Sequence, residues 1–276
     1  MTHCYMPERS FGKGSRPERS PCAGKIMIPS EEKIVFENPY RLHSTMTRIA
    51  ELSPSETEQA IFFPNPYSSW FERTVLKREI RSQDLELGSL LLPESANKSI
   101  LLTWNSDPAM EKHIRDAGYT VYESQEGMIL TERTILPESK WKGDPSIVVS
   151  RIEDEEEIPV WLGIVNDAFG SFDESDLYKR AFRQEVLEFY AVYSKKIMVS
   201  TALIFADSDS IGLYSVTTSP EYKNRGFASF LVSEILREYR AEIPVTLQAT
   251  RAGKSIYERL GFRSLGKFLH WSKLPS

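Results

Sequence analysis

The clearest pattern of hydrophobic and polar positions lies between residues 210 and 262. An apolar run over residues 211–216 predicts a strand, and the polar residues 217–221 that follow it predict a turn. Apolar side chains then recur at helical spacing, at Phe227, Phe230, Leu231 and Ile235. This part of the chain is therefore expected to form a strand, a short turn and a helix in direct succession.

Similar patterns predict the remaining elements of the second half. Apolar runs predict strands at residues 147–150, 189–194, 197–206, 245–249 and 267–271. Helices are expected over residues 154–169, 176–186 and 255–260, and Gly261 is expected to cap the last of them. Because strands and helices follow one another throughout, the pattern indicates an α/β region.

The first half has less regular patterns. Helices are expected to begin near residue 53 and to cover residues 70–80, and strands are expected at residues 87–92 and 99–104. A helix from Pro108 to Ala117 should be capped by Asp107 and ended by Gly118. Residues 120–122 and 128–131 resemble a hairpin with its turn at residues 125–127.

Composition divides the chain into four parts. Residues 1–45 are expected to form a disordered tail, because the first 25 residues are basic and rich in Pro, Ser and Gly; a natural start at Met27 or Met46 is the alternative. Residues 46–136 form a predicted N-terminal α/β domain. Proline, glycine and charged residues over 137–146 predict a linker, and residues 147–276 form the second predicted domain.

Charge and residue counts exclude several classes of protein. A net charge of −5 and a pI near 5.6 give no reason to expect nucleic-acid binding. No apolar run of membrane-spanning length occurs, so no membrane partner is expected. The two cysteines and four histidines lack metal-ligand spacing, so no metal is expected, and a cytoplasmic location fits this cysteine usage. The sequence leaves the oligomeric state open.

The turn at residues 223–228 suits an anion. It places Lys223, Arg225 and Gly226 directly before a helix, whose first NH groups have no partner within the helix. Glycine lets the backbone approach a ligand closely, and the basic side chains add positive charge. A phosphate group is the expected ligand.

Two motifs in order resemble the GNAT family of N-acetyltransferases. The first is the turn Lys223–Asn224–Arg225–Gly226–Phe227–Ala228, in which lysine replaces the family's usual Gln or Arg. The second is Tyr257, four residues before the pair Gly261 and Phe262. The resemblance implies an α/β (α+β) fold with a mixed, mostly antiparallel central sheet flanked by helices, the acyl-CoA N-acyltransferase fold. It covers the second half well and the first half faintly.

A weak internal repeat raises the alternative that the smaller N-terminal domain is a degenerate copy of the second domain. Residues 100–119 and residues 246–262 each contain a strand, a polar break, a helix and a terminal Gly-aromatic pair. Position 114 is Ile where the second copy has Tyr257, and the first half lacks the basic glycine turn. A tandem arrangement would therefore keep its ligand chemistry in the second half.

The resemblance implies a set of site residues. Tyr257 is the candidate general acid that protonates the CoA thiolate, and Val216 is the candidate NH facing the thioester carbonyl. Thr250 stands where the family often has Asn. The implied cofactor-binding residues are Leu213, Tyr214, Ser215, Val216, Lys223, Asn224, Arg225, Gly226, Phe227, Ala228, Ser229 and Thr250.

The expected function is N-acetyl transfer from acetyl-CoA to a primary amine by direct attack. The general base is left open between a water relay and a carboxylate from residues 173–188. The acceptor is a small-molecule or protein amine. The alternative is an acyl-CoA-binding sensor or pseudoenzyme without turnover.

Overall fold

Eleven strands and six α-helices make up the described chain. The computed structural model describes residues 30–90, 101–132, 136, 138–239 and 243–273. The helices are α1 (Glu31–Ile49), α2 (Pro108–Asp116), α3 (Ile158–Phe169), α4 (Ser175–Arg183), α5 (Phe227–Glu238) and α6 (Lys254–Arg259). The strands are β1 (Ser55–Glu56), β2 (Ala60–Phe63), β3 (Arg73–Leu76), β4 (Leu101–Trp104), β5 (Tyr119–Leu130), β6 (Ile147–Arg151), β7 (Glu188–Ser194), β8 (Ile197–Ala206), β9 (Ile211–Thr218), β10 (Val245–Ala249) and β11 (Arg263–Lys273).

All the strands belong to one sheet, in the order β1-β2-β3-β4-β11-β5-β10-β9-β8-β7-β6. Pairing is antiparallel except for β3 with β4 and β9 with β10. The predicted mixed, mostly antiparallel sheet flanked by helices is thus confirmed. Among the residues described, no helix is both long and apolar enough to cross a membrane.

The two predicted domains share this sheet. β5 comes from the first domain yet lies between β11 and β10 of the second, and β11 in turn lies between β4 and β5. The order is symmetrical about the β11–β5 pair, because a parallel pair flanks it on each side. The domain boundaries and the tandem repeat stay predictions.

Helices cover both faces of the sheet. Phe230, Leu231 and Ile235 of α5 pack with Leu213 of β9 on one face, where Tyr257 of α6 is also buried. On the other face, Trp161 of α3 and Tyr178 of α4 pack with residues of α1, β7 and β8, together with Tyr214. Because Leu213 and Tyr214 are neighbours in β9, their side chains point to opposite faces, as strand geometry requires.

Residues 31–45 are not a disordered tail, and that prediction is wrong. Ser30 caps α1, whose buried face includes Leu42 and Met46. Asn38 fixes the helix to the sheet: its amide donates to Asp207 and Ser210 at 3.0 Å, and its Oδ1 accepts a bond from the Tyr214 hydroxyl at 2.5 Å. The basic composition of the first 25 residues does not extend into this apolar helical face. Residues 1–29 lie outside the described part.

Several predicted elements of the first half are also wrong. The helix expected over residues 70–80 is instead β3, whose four residues are all buried, so no alternation marks it as a strand. The helix expected near residue 53 is β1 and β2. Residues 87–89 form a 3₁₀ turn rather than a strand, and residues 91–92 lie outside the described part.

The expected hairpin at residues 120–131 is one continuous strand, β5. Gly127 suggested a turn, but it serves a close approach instead. A Cβ atom there would lie 2.5 Å from the Trp104 ring and 2.7 Å from Val35 Cγ1. The glycine therefore lets Val35 of α1 and the Trp104 ring pack directly against β5.

The remaining elements of the second half agree with their predictions, and α2 does so in the first. Asp107 accepts a bond from the Met110 amide at 2.8 Å, and Pro108 stands in the first turn of α2. Gly118 follows the helix with a φ of 89°. Here the local signals decide the structure because caps act within a few residues of the helix end.

Replacing Gly212 by Ala should destabilise the fold. A Cβ at residue 212 would lie 1.9 Å from Asn38 Oδ1 and 2.4 Å from the Tyr214 ring, both held in the network that fixes α1. Overpacking of this kind costs about 1–3 kcal/mol of unfolding free energy. Urea denaturation measures the loss.

Gly163→Ala is the matched control. Gly163 lies exposed in α3, and a Cβ there would meet nothing within 4 Å. This change should raise the free energy of unfolding by about 0.5–1 kcal/mol, since alanine favours a helix interior over glycine. If the two substitutions change the free energy of unfolding equally, the close packing of α1 at Gly212 is contradicted.

Candidate active site

The sheet opens between β9 and β10. These two strands pair in parallel from Ile211 with Val245 to Leu213 with Leu247, and the pairing stops there. β9 then carries an extra residue relative to β8, and Ser215 adopts a φ of 49° at this bulge. The Thr201 hydroxyl donates to the Ser215 carbonyl at 3.0 Å and so fixes the bulge.

A cavity of about 260 Å³ lies at this opening. Six predicted site residues line it: Leu213, Tyr214, Ser215, Val216, Thr250 and Tyr257. The other predicted residues, 223–229, are all described and none of them lines it. The structure therefore brings the strand and the tyrosine together, while the basic turn lies outside the cavity.

Tyr257 is a buried proton donor at the cavity wall. Its ring packs edge-on against Phe262, with the centroids 5.8 Å apart, and the side chain is 8% exposed. Burial raises the pKa of the Tyr257 phenol well above its usual value, so the hydroxyl keeps its proton at neutral pH. Such a group can donate to a developing anion.

The turn before α5 has the backbone shape of an anion site. Asn224 and Gly226 have φ values of 62° and 86°, and no side chain caps the helix. A helix leaves its first amides without an internal partner, so these amides are available to a ligand. Lys223 and Arg225 are exposed around them.

Trp141 supports this turn, although no sequence pattern marks it as a functional residue within the predicted linker. Its indole nitrogen donates to the Arg225 carbonyl at 3.0 Å, and its ring stacks on Phe227 at 4.9 Å. Arg225 in turn donates to the Glu221 carbonyl at 2.8 Å and lies over the Tyr222 ring. These contacts hold the turn in the shape that leaves the helix end accessible.

Thr250 shapes the loop before α6. Its hydroxyl accepts a bond from the Gly253 amide at 3.3 Å, and its carbonyl accepts from Lys254 at 3.0 Å. This loop sets the position of Tyr257 in the next helix. A contact between Thr250 and a bound donor stays a prediction.

The cavity continues to the face covered by α1, where polar and charged side chains from both halves of the chain line it. Arg73 of β3, Glu123 of β5 and His270 of β11 line it, together with Asp173 from the loop before α4. Asp173 is buried and accepts bonds from the Tyr178 hydroxyl at 2.7 Å and the Ser69 hydroxyl at 3.2 Å. Of these four residues, only Asp173 falls within the range in which the sequence placed a general base.

This arrangement defines an acyltransferase of the acyl-CoA N-acyltransferase fold. Residues 151–269 match the family model described as an acetyltransferase (GNAT) domain, and this region includes β9, the basic turn and Tyr257. By this match, residues 151–269 form an acetyltransferase (GNAT) domain, and the protein is an acyltransferase. No curated protein matches the chain.

Solved structures share the fold at low identity. A GCN5-related N-acetyltransferase from Kribbella flavida has a TM-score of 0.60 and 12% identity, covering 88% of this chain and 96% of its own. A protein assigned to the GNAT family from Novosphingobium aromaticivorans has a TM-score of 0.54 and 18% identity, covering 87% and 99%. Because both matches extend over the first half, the relatives share the whole architecture.

Proposed function

We propose that the enzyme transfers an acetyl group from acetyl-CoA to a primary amine by direct attack. One observation carries the proposal: Val216 of β9, Tyr257 of α6 and the two carboxylate residues Asp173 and Glu123 line one cavity at the opening between β9 and β10. A thioester placed there would have a proton donor on one side and an amine-attracting wall on the other. The basic turn supplies a separate anion site for the donor's pyrophosphate.

The turn before α5 and the free edge of β9 suit the pyrophosphate and the pantetheine arm of CoA. The uncapped end of α5, with Gly226 in the left-handed region, offers backbone NH groups to a pyrophosphate. Lys223 and Arg225 add charge at this exposed site. The β9 backbone beyond Leu213 has lost its β10 neighbour, which leaves an edge for the pantetheine arm.

The bulge in β9 sets up the carbonyl end of the reaction. Ser215 turns the strand, and the Val216 NH is the proposed donor to the thioester oxygen. Fixed backbone donors stabilise the charge that grows on this oxygen without reorganising. As the amine nitrogen bonds to the carbonyl carbon and the C–S bond breaks, Tyr257 gives its proton to the leaving sulfur.

The acceptor side carries two carboxylates. Asp173 is fixed by two hydroxyl donors, whereas Glu123 is half-buried in the cavity wall. Both would attract an ammonium group, and one of them would take the proton that the amine must lose. Asp173 lies within the range 173–188 that the sequence left open for the base, and Glu123 is a second candidate from outside that range.

Substituting each carboxylate by its amide separates these roles. Asp173→Asn and Glu123→Gln should each raise the KM for the amine roughly tenfold, because each removes a charged partner. The variant whose kcat also falls, with a flattened pH–rate profile, identifies the proton acceptor. Steady-state kinetics across pH makes the comparison.

Glu174→Gln is the control on the same loop. Glu174 is exposed and does not line the cavity, so this change should leave the amine KM unaltered. If Asp173→Asn and Glu123→Gln also leave it unaltered, the amine does not bind against these carboxylates.

The activity itself is tested by incubating the purified protein with acetyl-CoA and a panel of primary amines. Release of free CoA thiol together with acetylated amine is the expected result. Tight CoA binding without any acetylated product from the panel would instead support the sensor alternative. Thermal-shift measurements with CoA distinguish that outcome from a protein that does not bind CoA.

A further inference from the structure

Arg73 is a buried cation on the acceptor side of the cavity. It is 2% exposed and lines the cavity wall from β3. In the described part of the chain, no carboxylate oxygen lies within 4.0 Å of its guanidinium, and its Nε is buried without a hydrogen-bond partner. A buried charge of this kind costs several kcal/mol unless an anion pairs with it.

His270 and Gln125 orient this guanidinium. The Nη1 group donates to His270 Nδ1 at 3.2 Å, and His270 Nε2 lies 3.2 Å from Gln125 Oε1. Burial and the charge of Arg73 lower the pKa of His270 well below its usual value, so the imidazole is neutral and accepts this bond. The hydrogen bond to His270 therefore occupies one guanidinium nitrogen of Arg73, Nη1.

Arg73 stays charged under working conditions. Burial lowers its pKa to about 10, while Asp173 and Glu123 act in the opposite direction. Neither carboxylate forms an ion pair with it, so their influence comes from a longer distance. The cation is therefore retained at neutral pH and left for a ligand to neutralise.

A second residue of the same cavity carries a buried donor. Gln248 follows the last β10 residue that pairs with β9, and its Nε2 atom is buried without a hydrogen-bond partner. Unsatisfied buried donors on two residues of one cavity are unusual, because buried polar groups are nearly always paired.

We propose that the acceptor is a small amino acid whose carboxylate is bound by Arg73 and whose amine faces Asp173 and Glu123. The inference rests on the proposed function and names the substrate class of that site. Arginine binds carboxylates through two parallel hydrogen bonds, which few other side chains offer. A polyamine has no anionic group, so it would leave the buried charge of Arg73 without a partner.

Free amino acids and their C-terminal amides provide the test on the unmodified enzyme. Each pair keeps the amine and side chain and removes only the negative charge. The free acids should have KM values at least about tenfold lower than the amides, since the amides cannot form the charge-assisted hydrogen bonds with Arg73. If amides or polyamines have KM values as low as those of the free amino acids, the proposal is overturned. Preference for aminoalkyl phosphates would overturn the assignment to a carboxylate.

Arg73→Gln should remove the discrimination between acid and amide while leaving the KM for acetyl-CoA unchanged. Arg78→Gln is the control, because Arg78 lies outside this cavity. Retained preference for the free acid in Arg73→Gln would contradict the assignment. If no amine is acetylated at all, the proposed function fails; calorimetric binding of amino acids and their amides then tests the anion site without turnover, and equal binding of both overturns it.

Discussion

Tyr257→Phe should lower kcat by about 10²–10⁴, the range over which a positioned general acid contributes. Tyr257 lines the cavity at the β9–β10 opening, and burial keeps its hydroxyl protonated. Phenylalanine retains the packing against Phe262, so the fold and the KM for acetyl-CoA should change little. The ratio of the two kcat values is measured from the release of CoA thiol at saturating acetyl-CoA and amine.

Tyr239→Phe is the matched control for this change. Its hydroxyl donates to Glu188 at 2.8 Å, and it does not line the cavity. Stability should fall while kcat stays close to that of the unmodified enzyme. An unchanged kcat in Tyr257→Phe would remove the assigned role.

Gly226→Val should raise the KM for acetyl-CoA by about 10- to 100-fold. The φ of 86° lies in a region that a β-branched residue enters at a cost of about 1–3 kcal/mol, so the turn is expected to change shape. That change withdraws the first amides of α5 from the pyrophosphate. Initial rates over a range of acetyl-CoA concentrations measure the effect.

Gly118→Val controls for backbone strain alone. Gly118 has a φ of 89°, and a Cβ there would meet only the end of the Lys273 side chain, at 3.7 Å; it follows α2 and does not line the cavity. Both variants should lose similar unfolding free energy, whereas only Gly226→Val should weaken donor binding. Equal KM values for acetyl-CoA in the two variants would contradict the pyrophosphate assignment.

Local signals explain what the sequence predicted. The strand before residue 217, the basic turn and the helix after it are decided within a few residues, by periodicity and by the glycine at 226. Tyr257 was recognisable because it stands four residues before the pair Gly261 and Phe262, the spacing in which the chain resembles the GNAT family. In the structure, Tyr257 and residues 213–216 line the same cavity.

The acceptor side was not predictable because its residues meet only through tertiary pairing. Arg73 and His270 are separated by 197 positions, and β4 and β11 must pair before they come together. Arg73 also stands in a short, fully buried strand that has no alternation to reveal it. Composition alone did not reveal α1, which the buried side chain of Asn38 holds against the sheet.

The most direct measurement of the central claim is mass spectrometry of an amine panel incubated with isotope-labelled acetyl-CoA and the purified enzyme. We predict that labelled acetyl groups appear on primary amines with the unmodified chain and are strongly reduced with Tyr257→Phe. CoA bound at the turn of α5 with no labelled amine in any reaction would contradict acetyl transfer at the β9–β10 opening.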